Sequence, residues 1–480
     1  MTRPRLASQL LGLVPVGVLP GCLALLWGCW ASSTRYFPPG EIPKVDTAPE
    51  DTGWEDQNCE LPQGVLRVDD ADARILGDEQ ERFGDFATRV GDLNGDGYDD
   101  FGVRQEVGKS RIWFGPLAGW LDDDTPNLIA DGVALFAGDL DADGFDDLIA
   151  VASGDGTYGA YLDYGPFVLD EAHAPEDADA WIYTTTDTSS PTWTGAFGEV
   201  EEAFHGVMLG AYSDATSGYR AGAAYGFVEA PHGDTPLDQA AFTLLGEEVG
   251  DLAGVSLTGL GDTDGDGVAD LAIGAPAAHD SSGDSPGAVY VIAGPVDGVV
   301  SLADVDAKLP GEGDGGWAGH VVARAGDIDG DGLEDLLTMA TAYEGQDRLE
   351  PNVVYGMLGP FHRGRSLAVS ELEIQADDGG YLGFFYARAA DVDGSGVPDI
   401  ALLAELIPHR CLGAHLFLDP TLGVHSVDDA DVIIGGGGVA GVYPAGDLNQ
   451  DGMDDLAITA SGWGPDDEGA VFLWLGREVW

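Results

Sequence analysis

Asp262, Asp264, Asp266 and Asp270 stand at the first, third, fifth and ninth positions of a loop inside GDTDGDGVADLAIGAP, which runs from Gly261 to Pro276. Alternate side chains carry oxygens. Gly267 at position six permits a sharp turn, and the backbone carbonyl of Val268 at position seven supplies another oxygen. A hard cation that takes about six to eight oxygens at ~2.3–2.6 Å fits this set, which points to Ca2+. Mg2+ would prefer fewer protein ligands in a stricter octahedron. The pattern matches the first half of an EF-hand loop, but the apolar run that follows reads as a strand rather than a helix, so the loop is a hairpin connection. A single copy would also be explained by ordinary Asp and Gly turn chemistry.

The spacing is not single. The same positions are held by Asp92, Asn94, Asp96, Tyr98 and Asp100, and by Asp139, Asp141, Asp143, Phe145 and Asp147. They are held again by Asp327, Asp329, Asp331, Leu333 and Asp335, by Asp391, Asp393, Ser395, Val397 and Asp399, and by Asp447, Asn449, Asp451, Met453 and Asp455. In every set the seventh residue contributes only its carbonyl. About six Ca2+ sites are expected, and they are unequal. Three loops keep four carboxylates, Asn94 and Asn449 each replace one, and Ser395 marks the weakest. The step from Asp262 to Asp327 is 65 residues and the next is 64, whereas Asp139 to Asp262 is 123, so one more repeat belongs in that gap. GEVEEAFHGVMLGAYS from Gly198 fills it, with Ala203 where the fifth-position ligand should be, and no metal is expected there.

Elements that would hold such loops repeat in step with them. GAVYVIAGP from Gly287 has six echoes, from SRIWFGP at Ser110 to GAVFLWLG at Gly469, each a short run of β-formers bounded by Gly or Pro. A further strand precedes each acidic block, as in AFTLLGE from Ala241 and ELEIQAD from Glu371. No long helical periodicity is present. A repeat of this length with about four strands is the blade of a β-propeller, and seven are expected. The last blade lacks a fourth strand before the chain reaches Trp480. VDDADARILG from Val68 matches VDDADVIIGG from Val427, the fourth strand of blade six, and has no blade of its own. It is expected to complete blade seven and so close the ring, which hides the edges of an open arc. The fold class is therefore all-β, a seven-bladed propeller of four-stranded blades closed by an N-terminal strand.

AGVSLTGLGDTDGDGVADLAIGAP resembles an FG-GAP repeat, the unit of the integrin α-chain β-propeller. FG is intact at Phe83-Gly84 and appears as Ala253-Gly254, and GAP is Gly274-Ala275-Pro276. The resemblance spans Leu61 to Trp480. It is specific in blade four, good in blades one, five and seven, and weak in blade three. It implies Ca2+ in the loops between strands 1 and 2, and adhesion or ligand binding on the opposite face. No integrin leg domains are expected after Trp480.

The amino terminus reads as a secretory signal over residues 1–28, with Arg3 and Arg5 ahead of an apolar stretch. LLWGC resembles a bacterial lipobox and makes Cys29 the expected lipidated residue. VLPGC at Cys22 competes, and ordinary cleavage or an uncleaved anchor are the alternatives. Residues 29–60 read as a flexible Pro- and acid-rich tether and 61–480 as the propeller. Cys59 and Cys411 then remain, next to strands of neighbouring blades, and are expected to form a disulfide in an exported protein, the alternative being two unrelated thiols. A net charge of −65 is far larger than six metal sites explain, since filling them would leave about −53. It indicates a solvated surface, and it disfavours nucleic acid and anionic lipid as partners. The membrane is expected to be touched only through the lipid anchor.

No HExxH, nucleophile elbow or phosphate loop occurs. Pairs such as Asp99-Asp100 could imitate glycosidase carboxylates, but they recur from blade to blade, as structural groups would. The expectation is a surface-anchored adhesion or ligand-binding module, not an enzyme. The alternatives are a Ca2+-dependent polysaccharide-active enzyme or a lectin-like glycan binder. Loops joining strand 2 to strand 3, and strand 4 to the next blade, emerge opposite the acidic loops and vary most, which is where function concentrates. Trp193, Trp317, Tyr381 and Trp463 are the aromatic anchors expected there. Their acidic surroundings suit a cationic or Ca2+-bridged extracellular protein or glycan.

Overall fold

The computed structural model describes residues 61–480 apart from short internal stretches, of which 184–205 and 341–352 are the longest. Blade four shows the plan. Ser256–Gly261, Asp270–Ala275, Ala288–Ile292 and Ala307–Pro310 pair antiparallel in that order. The acidic loop joins strands 1 and 2, as the hairpin reading requires. Strands 2 and 3 are buried at every residue, and strand 4 alternates buried and half-buried positions. That difference follows from composition: a strand covered on both faces needs a continuous apolar run.

Seven sheets repeat the plan, and the molecule is a seven-bladed all-β propeller. Ala73–Leu76 pairs antiparallel with Ala470–Trp474, Ile75 facing Val471, so the N-terminal strand is the fourth strand of blade seven. In blade three strand 1 falls outside the described residues, and the sheet begins at Val207–Ala211.

The core is a ring of seams between blades rather than one centre. Seven clusters of buried side chains each join two neighbouring blades. In one, Met208, Phe242 and Leu244 of blade three meet Leu257, Ile273 and Tyr290 of blade four. In another, Ile75, Tyr443 and Val471 of blade seven meet Phe83, Phe101 and Trp113 of blade one, so the closing seam is packed like the rest. Strand 2 of blade four serves two seams at once. Leu271 and Ile273 face blade three, and Ala272 faces blade five, as the period of two along a strand dictates.

Six blades carry a fifth strand. The connection between strands 3 and 4 of one blade lies parallel to the outer strand of the preceding blade. Gly298–Ser301 pairs this way with Phe242–Leu245, and Gly423–Ser426 with Leu372–Gln375. Gly119–Asp122, Glu171–His173 and Gly233–Pro236 do the same elsewhere, and Leu66–Arg67, which precedes the closing strand, pairs in the same way with blade six. Among the described residues the outer strand of blade four carries none. There the Arg363 guanidinium of blade five donates to the carbonyls of Asp304 and Val305.

Candidate metal centres

The acidic loops are folded by their own carboxylates. In blade four, Asp262 Oδ1 accepts the Gly265 N–H at 2.7 Å and Oδ2 accepts the Gly267 N–H at 2.9 Å. Asp264 Oδ1 accepts from Asp266 N–H at 3.1 Å, and Asp266 Oδ1 from Val268 N–H at 2.8 Å. Gly267 has φ +81°, the left-handed region that an L side chain rarely adopts, which accounts for glycine at position six. Position four is also left-handed, and Ala142 and Gln450 accept φ +59° there. First-position bonds of the same kind recur at Asp92, Asp139, Asp327, Asp391 and Asp447.

Position nine is different in kind. Asp100, Asp147, Asp270, Asp335, Asp399 and Asp455 are all buried, at 0–2% exposure. Each uses both oxygens. Asp335 Oδ2 accepts the Ile328 N–H at 2.8 Å, and its Oδ1 accepts the Gly359 N–H, from the turn after strand 3, at 2.9 Å. Asp100 takes Leu93 and Gly115 in the same way, both at 2.9 Å. Burial pushes the Asp100 carboxyl up to about 8 and those of Asp147, Asp335, Asp399 and Asp455 to about 7, against the pull of these N–H groups; nearby loop carboxylates add to the rise. Asp270 is raised by the same burial.

In four of the six loops, three of the expected carboxylates converge, while no such set is found among the described residues for the Asp92 and Asp447 loops. Carboxylate atoms of Asp262, Asp264 and Asp270 lie within 4.8 Å of one another, as do those of Asp327, Asp329 and Asp335 and of Asp391, Asp393 and Asp399. In blade two the converging set is Asp139, Asp141 and Asp143. The donor set is all oxygen and negatively charged, which fits a hard dication. In two loops with substitutions the substituted side chain donates to a neighbouring carboxylate. Ser395 Oγ donates to Asp419 Oδ1 at 2.6 Å, and Asn449 Nδ2 donates to Asp451 Oδ2 at 3.0 Å.

The first residue of each Asp-Asp pair ties one blade to the next, a role that the loop pattern alone does not reveal. Asp99, Asp146 and Asp454 at position eight accept the N–H of the first-position residue of the preceding blade. The bonds are Asp447 to Asp99 at 2.8 Å, Asp92 to Asp146 at 2.7 Å and Asp391 to Asp454 at 2.9 Å. The backbone returns the bond, since Asp146 N–H donates to Asp92 O at 3.2 Å and Asp454 N–H to Asp391 O at 2.9 Å. Arg89 pairs with Asp99 at 2.9 Å. Within a pair one carboxylate thus holds the neighbouring blade and the other holds its own loop.

On the opposite face Trp317 is half-buried, its ring centroid 6.1 Å from that of His320. Its φ of +48° is shared in kind by Leu252 at +62°, the matching residue of the preceding repeat, so the conformation belongs to the repeat. The following residue in each case, Ala318 or Ala253, makes a parallel bridge to the glycine that opens strand 3 of the blade before, Gly287 or Gly222. Trp463 is half-buried and packs edge-on against Phe472 at 5.9 Å. Trp193, Tyr381, Cys29, Cys59 and the Glu199–Ala203 loop lie outside the described residues. Cys411 opens strand 3 of blade six, Cys411–Phe417. Among the described residues no helix is long and apolar enough to cross a membrane.

The family model of the FG-GAP repeat matches residues 253–292 and 444–474, the first three strands of blade four and of blade seven. No curated protein matches the chain in sequence. Among solved structures, the chain is similar to BBS1N in complex with ARL6DN, at 10% identity and a TM-score of 0.31, covering 86% of this chain and 98% of that one. It is also similar to the Dos1 propeller, at 8% identity and a TM-score of 0.38, covering 88% and 98%. The chain is a seven-bladed β-propeller that carries FG-GAP repeats.

Proposed function

We propose that this propeller is an exported Ca2+-binding module for adhesion or ligand capture, without catalytic activity of its own. The observation that supports it best is the convergence of carboxylate oxygens in loops that all leave the same face. Three of the loops bring two more accessible acids together with one buried acid whose ionisation burial opposes, and a dication would relieve both repulsion and burial. In this reading the protein's own residues hold the ion with carboxylates at positions one, three, five and nine and the carbonyl at position seven. The ion supplies charge neutralisation and rigidity, and the opposite face meets the partner. An FG-GAP propeller fits an extracellular or cell-surface setting, with Cys29 as lipid anchor and the Cys59–Cys411 disulfide as covalent closure.

The test is a binding screen against glycans and extracellular matrix proteins with and without Ca2+. Replacement of Trp317 and Trp463 by Ala should weaken capture while Ca2+-dependent melting is kept. Loss of capture on substitution in the Asp262 or Asp327 loops, with the fold intact, would assign the partner to the acidic face instead.

A further inference from the structure

The most exposed aromatic side chain among the described residues is Tyr219, 74% exposed, in the loop joining strands 2 and 3 of blade three. Beside it is Val249, 60% exposed, in the connection from blade three to blade four. The two segments are tied together: Gly250 N–H donates to Tyr219 O at 3.0 Å and Leu252 N–H to Arg220 O at 3.2 Å. Gly218 packs so closely on Val249 that a Cβ there would come within 2.7 Å of its methyl. The loop is held from below as well. Asp214, 1% exposed, accepts the Tyr225 hydroxyl at 2.9 Å and the Thr216 N–H at 2.7 Å, and Ser217 Oγ donates to Gly246 O at 2.8 Å. Tyr219 is therefore presented by a braced loop, which removes part of the ordering cost of binding.

The chemistry around it selects the partner. Glu248 is exposed one residue from Val249, on a chain of net charge −65. The tyrosines nearby already receive cations from within the protein. The Arg220 guanidinium lies 6.0 Å from the Tyr212 ring centre, and Lys308 lies 5.3 Å from that of Tyr290. An aromatic face beside acids attracts a cation through its quadrupole and the local field together.

We propose that Tyr219 and Val249 form a docking platform for a Lys- or Arg-bearing segment of a partner protein. This rests on the reading that the face opposite the acidic loops is the ligand face. The probe is a labelled Arg-Gly repeat peptide, followed by fluorescence anisotropy in about 0.5 M NaCl, where screening within a few ångströms suppresses diffuse attraction to the acidic surface. The wild-type chain should bind it, Tyr219→Ala should bind about fivefold more weakly, and Tyr219→Phe should bind as wild type because the ring face remains. Unchanged melting of these surface variants confirms that the fold is not the cause. Equal binding by Tyr219→Ala and wild type overturns the platform, as does a neutral oligosaccharide that depends on Tyr219 when the peptide does not. If Tyr219→Ala is silent while Trp317→Ala loses the peptide, the platform falls and the ligand face stands. If neither changes binding and substitutions in the acidic loops do, both fall.

Discussion

The acidic loops and the loops at the other end of the same strands follow different rules. On the acidic face, Asp262 holds Gly265 and Gly267 at 2.7 and 2.9 Å, and Asp327 holds Gly330 and Gly332 at 2.8 Å each. The bonds repeat because the spacing of Asp and Gly repeats. On the other face, blade three braces its loop with Asp214 and Tyr225, whereas blade four pins its loop with His279 against the buried Asp251 at 3.2 Å. The frame of this face repeats too, since Tyr290 donates to Glu247 as Tyr355 does to Glu312, but the residues at the loop tips do not, so each loop can present different side chains. Repetition marks the face that serves the fold, and divergence marks the face free to acquire a partner.

The largest expected effect tests whether the acidic face is a metal face at all. With free Ca2+ at ten times Kd, each site contributes about 1.4 kcal/mol and six contribute roughly 8 kcal/mol, comparable with the whole stability of an ordinary domain. Chelation should therefore lower the melting temperature by many degrees. An unchanged melting temperature would remove metal from the account and leave turn chemistry alone.

Within a loop, the buried and the exposed acids should separate. Asp335→Ala strands the Ile328 and Gly359 N–H groups inside the protein and should cost about 2–5 kcal/mol with or without Ca2+. Asp329 is exposed, so Asp329→Ala should change metal-free stability by less than about 0.5 kcal/mol. Its effect should appear only as a smaller gain on adding Ca2+, read by melting across a Ca2+ titration. Equal behaviour of the two variants would show that position nine is a ligand and not also an anchor.

Much of this was legible in the sequence. Acidic loops at a fixed step gave the blade count, and the match of Val68 onward to Val427 onward gave the closure, because a missing strand and a spare one must meet. Asp99, Asp146 and Asp454 were not assigned, because the acid beside a loop anchor looks like any turn residue until the neighbouring blade is in place. The fifth strands escaped because they are two to four residues long and pair with another blade. Tyr219 escaped because exposure in an irregular loop has no period to read.

Stability against acid should distinguish the seams from the loops. Burial pulls His415 down to about 4, and its Nδ1 lies 3.1 Å from the Gly413 carbonyl. A lowered imidazole favours the neutral form in the fold, so its contribution is present above about pH 6.5 and is lost as pH falls from there toward 4. The loss approaches roughly 3 kcal/mol at about pH 4, at ~1.4 kcal/mol per unit. Blade seven has Phe472 at the matching position, facing Ile458 as His415 faces Leu402. The buried position-nine carboxyls, raised to about 7–8, act with the opposite sign, so His415→Phe should make the variant more stable relative to wild type as pH falls from about 6.5 to 4, by up to roughly 3 kcal/mol. A slope equal to wild type would mean that acid sensitivity originates elsewhere.

The smallest effect is the most discriminating between turn chemistry and metal binding. Ser395 occupies a ligand position but donates its hydroxyl to Asp419 Oδ1. Ser395→Asp removes that donor and places a second carboxylate beside the first. Without metal it should lower stability by about 1 kcal/mol through like-charge repulsion and the lost hydrogen bond. With Ca2+ the added charge becomes a ligand, and affinity at this loop should rise several-fold, about 1 kcal/mol, because ligand charge sets the strength of such sites. Calorimetric titration of wild type and variant, with metal-free melting alongside, reads both signs. A turn that merely uses Asp and Gly predicts the first change and not the second. Opposite signs with and without Ca2+ are what a sixth, weakened metal loop requires.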